Sequence, residues 1–126
     1  METYTTTEFQ RKTGEMLKAA QCDEVPFMVR WFTDPLCVAA PHRWFKRAVA
    51  SLEAPPEIYR APATYKERRS VLRELVVRVR NEGLFVAIPR RAGIACVLVP
   101  IEWYEERVAA IGVPEGEKGA VVPSAA

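Results

Sequence analysis

Leu36-Cys37-Val38-Ala39-Ala40-Pro41-His42-Arg43-Trp44-Phe45 and Ala95-Cys96-Val97-Leu98-Val99-Pro100-Ile101-Glu102-Trp103-Tyr104 are two versions of one sentence. Cys, Val, Pro and Trp recur in register at an offset of 59 residues. Extending the same frame outward gives an ungapped match from about Thr5 to Leu52 against Thr64 to Ile111. Identities at Thr5/Thr64, Glu8/Glu67, Glu15/Glu74, Val49/Val108 and Ala50/Ala109 join the first four. Conservative pairs fill the gaps: Met16/Leu75, Leu17/Val76, Val29/Ile88 and Phe45/Tyr104. A matched Trp pair in register with a matched Pro pair marks an internal repeat, and a repeat governs how the rest of the chain is read.

Each copy carries the same order of patterns. In copy one, Phe9, Thr13, Met16, Leu17 and Ala20 recur with the period of one helix face; Leu72, Leu75, Val76 and Val79 make the matching stripe in copy two. Thr6 or Thr7 is the expected cap of the first helix, with Glu8 well placed against the helix dipole. Asn81-Glu82-Gly83 reads as a helix stop. Apolar runs at 26–32 and 36–40, and again at 84–89 and 95–99, read as strand pairs. Thr33-Asp34-Pro35 and Arg91-Ala92-Gly93 are the expected hairpin turns. Pro41 and Pro100 then open helices predicted over 42–52 and 101–111. Glu53-Ala54-Pro55-Pro56-Glu57 resists helix and sheet alike, so 53–60 is the expected linker between 1–52 and 61–111, and 112–126 the expected flexible tail.

Composition narrows the function. With 126 residues, 49% of them hydrophobic, the chain suits one small domain or two sharing a core. The three cysteines lack CxxC spacing and His42 is the single histidine, so neither a zinc site nor a histidine-based enzyme is expected, and no cofactor. Cys37 and Cys96 read as small buried hydrophobes within strands. No apolar run approaches the roughly 20 residues of a membrane helix, and residues 1–20 are too charged for a signal peptide. A soluble, cytoplasmic protein with no membrane partner and no small-molecule substrate is the expectation. Net charge is +2 overall, but 1–52 carries +1 and 60–111 carries +4, so the second copy is the basic one.

The order helix, hairpin with a basic turn, Val-Leu-Val-Pro and aromatic helix resembles the Phd/YefM (prevent-host-death) antitoxin family. Copy two carries the resemblance best, in Thr64-Tyr65-Lys66-Glu67-Arg68-Arg69, Glu82-Gly83, Val86-Ala87-Ile88-Pro89-Arg90-Arg91-Ala92-Gly93, Val97-Leu98-Val99-Pro100 and Glu102-Trp103-Tyr104. Copy one departs from the pattern. Gln10 stands where the helix arginine is expected, Trp31 where the hairpin arginine is expected, and Asp34-Pro35 where a glycine turn belongs. Together the matches span about 100 of the 126 residues. The resemblance implies an α+β fold of two tandem strand-helix-hairpin-helix modules, closed into a single-chain pseudo-dimer, with higher oligomers left open. It also implies operator DNA as partner, no catalysis, and a toxin protein as a further partner. Against that family pattern, the usual toxin-wrapping extension is expected to be missing or vestigial.

By resemblance, Arg69 and Arg90 hold the two arginine positions that relatives use at DNA. Lys66, Arg68, Arg73 and Arg91 extend that basic set, and Arg11, Lys12 and Arg30 are copy one's weaker counterparts. Trp44 and Trp103 are candidate protein-partner anchors, although matched tryptophans on duplicated helices also suit simple packing. Three functions follow from these residues: a DNA-binding regulator, an antitoxin-like protein-binding module, and a structural remnant whose DNA surface has decayed.

Overall fold

Strand β1 (Glu2–Thr5) runs directly into helix α1 (Thr6–Asp23), and the junction is a capping box centred on Thr5 rather than on the following threonines. The Thr5 hydroxyl accepts from the Glu8 backbone N–H at 3.1 Å, and the Glu8 carboxylate accepts from the Thr5 N–H at 2.9 Å. Hydrogen bonding to the carboxylate from the Thr5 backbone N–H, and then from the Thr5 hydroxyl, holds the Glu8 carboxyl below its ordinary range. Strand β2 (Phe27–Trp31), strand β3 (Asp34–Pro41) and helix α2 (His42–Val49) complete the first half. The second half repeats the order with β4 (Ile58–Arg60), α3 (Tyr65–Glu82), β5 (Phe85–Arg90), β6 (Gly93–Val99) and α4 (Ile101–Ile111). Thr64 caps α3 as Thr5 caps α1, accepting from the Glu67 N–H at 3.3 Å.

The computed structural model describes residues 1–117 and shows a mixed α+β architecture built on one six-stranded sheet, ordered β1-β2-β3-β6-β5-β4. That order is a palindrome: the second half enters the sheet as the mirror of the first. The halves join through the antiparallel β3–β6 ladder, which pairs Val38 with Val99, Ala39 with Leu98 and Ala40 with Val97. Ala39 and Leu98 occupy the same place in the 59-residue frame, so exchanging the halves maps this ladder onto itself. Irregularities repeat in the same frame. The β2–β3 pairing bulges at Leu36 and the β5–β6 pairing at Ala95. Left-handed backbone occurs at Glu24 and Gly83, which end α1 and α3, and at Phe32 and Arg91 in the hairpin turns.

Alternation along the strands sends side chains to two separate apolar layers. Phe27, Val29, Cys37, Ala39, Val86, Ile88, Cys96 and Leu98 face α1 and α3, meeting Phe9, Leu17, Leu72 and Val76. Val38, Ala40, Ala87, Val97 and Val99 face α2 and α4, meeting Trp44, Phe45 and Tyr104. Both layers mix residues of both halves, and α1 packs on β6 while α3 packs on β3. Neither half therefore keeps a core of its own, which suits lengths too short to bury enough surface alone.

The structure moves several expected boundaries. The first turn is Phe32-Thr33, because Trp31 pairs with Asp34 just as Arg90 pairs with Gly93; Asp34 and Pro35 open β3 instead of turning. The segment read as linker contributes β4, which pairs in parallel with β5 through Tyr59 and Val86. Chain beyond the Pro55-Pro56 pair is free to extend, and the sheet edge at β5 supplies its hydrogen bonds. Helix α2 stops at Val49 rather than reaching 52. Residues 112–117, read as the start of a free tail, are docked. Gly116 N–H donates to the Glu24 carbonyl at 3.0 Å, and Tyr104 donates its hydroxyl proton to Glu117 at 3.0 Å. The remainder of that tail reading, from 118 onward, lies outside the described residues.

Candidate nucleic-acid interface

Helices α1 and α3 lie side by side on one face of the sheet and touch through their N-terminal halves. Gln10 Nε2 donates to the Arg69 carbonyl at 3.5 Å, and the Tyr65 hydroxyl donates to the Gln10 carbonyl at 3.3 Å. Gln10 and Arg69 are equivalent in the 59-residue frame, so this contact sits on the same axis of exchange as Ala39 and Leu98. On α3, Lys66, Arg69, Arg73 and Arg80 fall at helical spacing along one exposed stripe. On α1, Arg11 and Lys12 are exposed beside Gln10. Among the described residues, the side chains of Arg11, Lys12, Lys66, Arg69 and Arg91 make no ion pair or hydrogen bond. Arg11, Lys12, Lys66 and Arg69 lie within four residues of the Gln10–Arg69 contact along their helices, while Arg91 stands apart at the second hairpin turn; all five are available to an anionic partner.

The remaining basic candidates are already engaged. Arg90 Nη1 donates to Gln21 Oε1 at 2.7 Å, while Gln21 Nε2 donates back to the Arg90 carbonyl at 3.3 Å. That pair ties the second hairpin to the C-terminal end of α1. At the equivalent place in the other direction, Arg80 at the end of α3 reaches the first hairpin and bridges Asp34 at 3.0 Å. Arg30 donates to the Phe32 carbonyl at its own hairpin turn. Arg73 lies over the Trp31 ring, 3.9 Å from its centroid, in a cation–π contact.

Arg68 corrects the sequence reading outright. It is 7% exposed, facing the core side of α3, and its Nη1 donates to the carbonyls of Pro62, Ala63 and Pro89. Burial draws its guanidinium below the usual arginine range. Its position one residue before Arg69 turns it about 100° around the helix, from solvent into the protein. No phosphate reaches it.

The two tryptophans lie on the α2–α4 side of the sheet. Trp44 is completely buried, with its indole N–H donating to the Gly112 carbonyl at 2.9 Å. Trp103 is half-buried in an aromatic cluster, 5.5 Å from Phe45 and 5.1 Å from Phe85 by ring centroids. Trp44 is therefore packing, and offers a partner no surface. Exposed aromatics are found instead at the first hairpin turn, Trp31 and Phe32, and at Tyr59 on β4 and Tyr65 at the start of α3. The repeat frame carried the signal for Trp31 and Phe32: they stand where copy two has Arg90 and Arg91 at its turn.

Cys37 and Cys96 are fully buried, and burial pushes the Cys96 thiol up to about 12 and Cys37 higher still. Neither supplies a thiolate near neutral pH. Among the described residues, no three His, Cys, Asp or Glu side chains converge as a metal site, and no helix is long and apolar enough to cross a membrane. No family model, no curated protein and no solved structure matches the chain.

Proposed function

We propose that the chain is a DNA-binding transcriptional regulator of the Phd/YefM antitoxin type, in which residues 1–52 and 61–111 act as two fused modules. The fused pair forms a pseudo-dimer within one chain and sits on operator DNA through the α1–α3 face. The observation that carries this reading is the set of unpaired cations, Arg11, Lys12, Lys66 and Arg69, gathered around the point where the equivalent residues Gln10 and Arg69 touch. A face with a local twofold relation suits a pseudo-palindromic site, since DNA half-sites repeat with the same symmetry. Fusion makes the pairing intramolecular and independent of protein concentration. Copy two keeps Arg69 and Arg91 free at its helix and turn, whereas copy one has Gln10 and Phe32 there, so the two half-sites are read unequally.

Binding to a toxin through the aromatic helices has less support, because Trp44 is interior and Trp103 is packed into the same cluster. The DNA reading is tested by a mobility-shift titration on the DNA upstream of the protein's own reading frame. Five phosphate contacts, from Arg11, Lys12, Lys66, Arg69 and Arg91, give a log–log salt slope of about −4.5, or a loss of roughly 500-fold between about 50 and 200 mM salt. Absence of salt-sensitive binding at low ionic strength overturns the reading.

A further inference from the structure

The first hairpin turn is built around a residue that its backbone disfavours. Phe32 has φ 53°, in the left-handed region where glycine or asparagine is at ease and a bulky side chain is not. Its ring gains no interior packing in return: Phe32 is 70% exposed and Trp31 beside it is 38% exposed. The pair is nonetheless held firmly. The rings meet edge to face at 4.8 Å, Arg30 donates to the Phe32 carbonyl, and Arg73 of α3 lies on the Trp31 ring. An outlying backbone and an exposed aromatic pair, braced from both sides, place the reason for Phe32 outside the folding of the chain.

Two grooves open beside the pair. One, of about 260 Å³, lies between the turn and the start of α1, lined by Thr5, Thr6, Thr7, Arg30, Trp31 and Phe32. The other, of about 410 Å³, lies between Trp31 and the stripe Arg73–Val77–Arg80 on α3. The one acidic residue lining either groove, Asp34, is already bridged by Arg80. The larger groove is thus lined by a net positive charge, and the smaller one is rich in hydroxyls, with Arg30 as its lining cation and the Glu8 carboxylate near it. Flat apolar rings amid cations and hydroxyls complement a nucleobase attached to a phosphate backbone.

We propose that Trp31 and Phe32 form a stacking wedge for an unpaired or locally unstacked base of the bound nucleic acid, with Arg30 and Arg73 as its flanking cations. The inference rests on the reading of the α1–α3 face as a nucleic-acid surface, and adds a preference for distorted or single-stranded sites at one half only. Apolar side chains that enter between bases lower their own cost where the bases are already unpaired. The equivalent turn of the other half presents Arg91, which binds phosphate without stacking in this way.

The test compares three fluorescein-labelled DNA probes by anisotropy at low salt: a dT15 single strand, a 15-base-pair duplex, and the same duplex with a three-base central bubble. The expected result is tighter binding of the single strand and the bubble than of the intact duplex. Phe32→Asn is the informative variant, because asparagine suits the left-handed turn and removes the ring. It keeps or raises the thermal midpoint, leaves duplex affinity unchanged, and cuts bubble and single-strand affinity about five- to 150-fold, the range of a lost stacking contact. Trp31→Ala acts in the same direction, while Arg69→Ala weakens all three probes alike. Equal affinity of the parent for duplex and bubble, or retention of the preference in Phe32→Asn, overturns the wedge while duplex binding leaves the DNA reading standing. Single-strand binding without duplex binding overturns the operator reading and leaves the wedge. Loss of all binding overturns both. Equal affinity for the probes, together with self-association by sedimentation that Phe32→Asn abolishes, assigns the pair to a protein contact and also overturns the wedge.

Discussion

Replacing two adjacent arginines separates folding from binding. Arg68 Nη1 donates to Pro62 and Ala63 at 3.3 Å and to Pro89 at 3.5 Å, all longer than the usual N–H···O distance of about 2.9–3.0 Å. One nitrogen carries two protons, so these contacts amount to about two bonds to a charged donor at the weak end, roughly 1.5 kcal/mol each. Arg68→Ala loses that sum of about 3 kcal/mol and the packing of the aliphatic stem, but no longer bears the desolvation of the cation and of its Nε, which has no partner. The net cost is about 2–4 kcal/mol. Arg68→Met keeps much of the stem and costs about 1–2 kcal/mol. Arg69 is exposed, and its contact with Gln10 uses the backbone carbonyl, so Arg69→Ala changes stability by less than about 0.5 kcal/mol. Urea denaturation followed by circular dichroism measures both, and the same samples enter the DNA titration. Arg69→Ala should bind more weakly, with a salt slope shallower by about 1. Arg68→Ala should bind normally wherever it remains folded. Unchanged stability of Arg68→Ala with lost DNA affinity refutes the interior placement of Arg68. A loss of more than about 1 kcal/mol in Arg69→Ala refutes the claim that its side chain is free.

Two glycines respond with opposite signs. Gly83→Ala costs about 1 kcal/mol, because φ 69° is left-handed while nothing lies within 4 Å of the added methyl; Gly14→Ala, in the body of α1 with equal space, stabilises by about 0.5–1 kcal/mol, both read by thermal unfolding. With an aromatic disulfide reagent, the exposed Cys22 reacts at once, and Cys37 and Cys96 react only as the chain unfolds. Burial, and then Lys46, hold the His42 pKa below its ordinary 6.5, so the unfolded chain binds the proton more readily. Stability is therefore full above pH 6.5 and falls as pH drops through that value towards the lower folded pKa. His42→Gln removes this sag from the urea midpoint measured across that interval.

Local patterns carried most of the elements. The helix stripes Phe9–Met16–Leu17 and Leu72–Val76–Val79, the four apolar strand runs and the Pro-led helices are short-range periodicities, legible without knowing what they pack against. The 59-residue frame added the equivalence of the halves, and with it a symmetric β3–β6 ladder becomes intelligible once seen. Four matters depended on contacts between residues distant in sequence. β4 forms inside the proline-rich linker because β5 has an open edge there to bond. The first turn sits at Phe32-Thr33 because the ladder register fixes it, overriding the turn chemistry of Asp34-Pro35. Residues 112–117 are docked because Glu24, Tyr104 and Trp44 offer them partners. The candidate site was decided last of all. Charge in the sequence located the basic region, but Lys66, Arg68, Arg69 and Arg73 are chemically alike until the rest of the fold covers one side of α3. That packing takes Arg68 inside, leaves Arg69 free, lays Arg73 on Trp31, and ties Arg90 to Gln21 across 69 residues of chain. Periodicity states which residues share a helix face; only the element that lands on that face decides whether they meet protein or solvent.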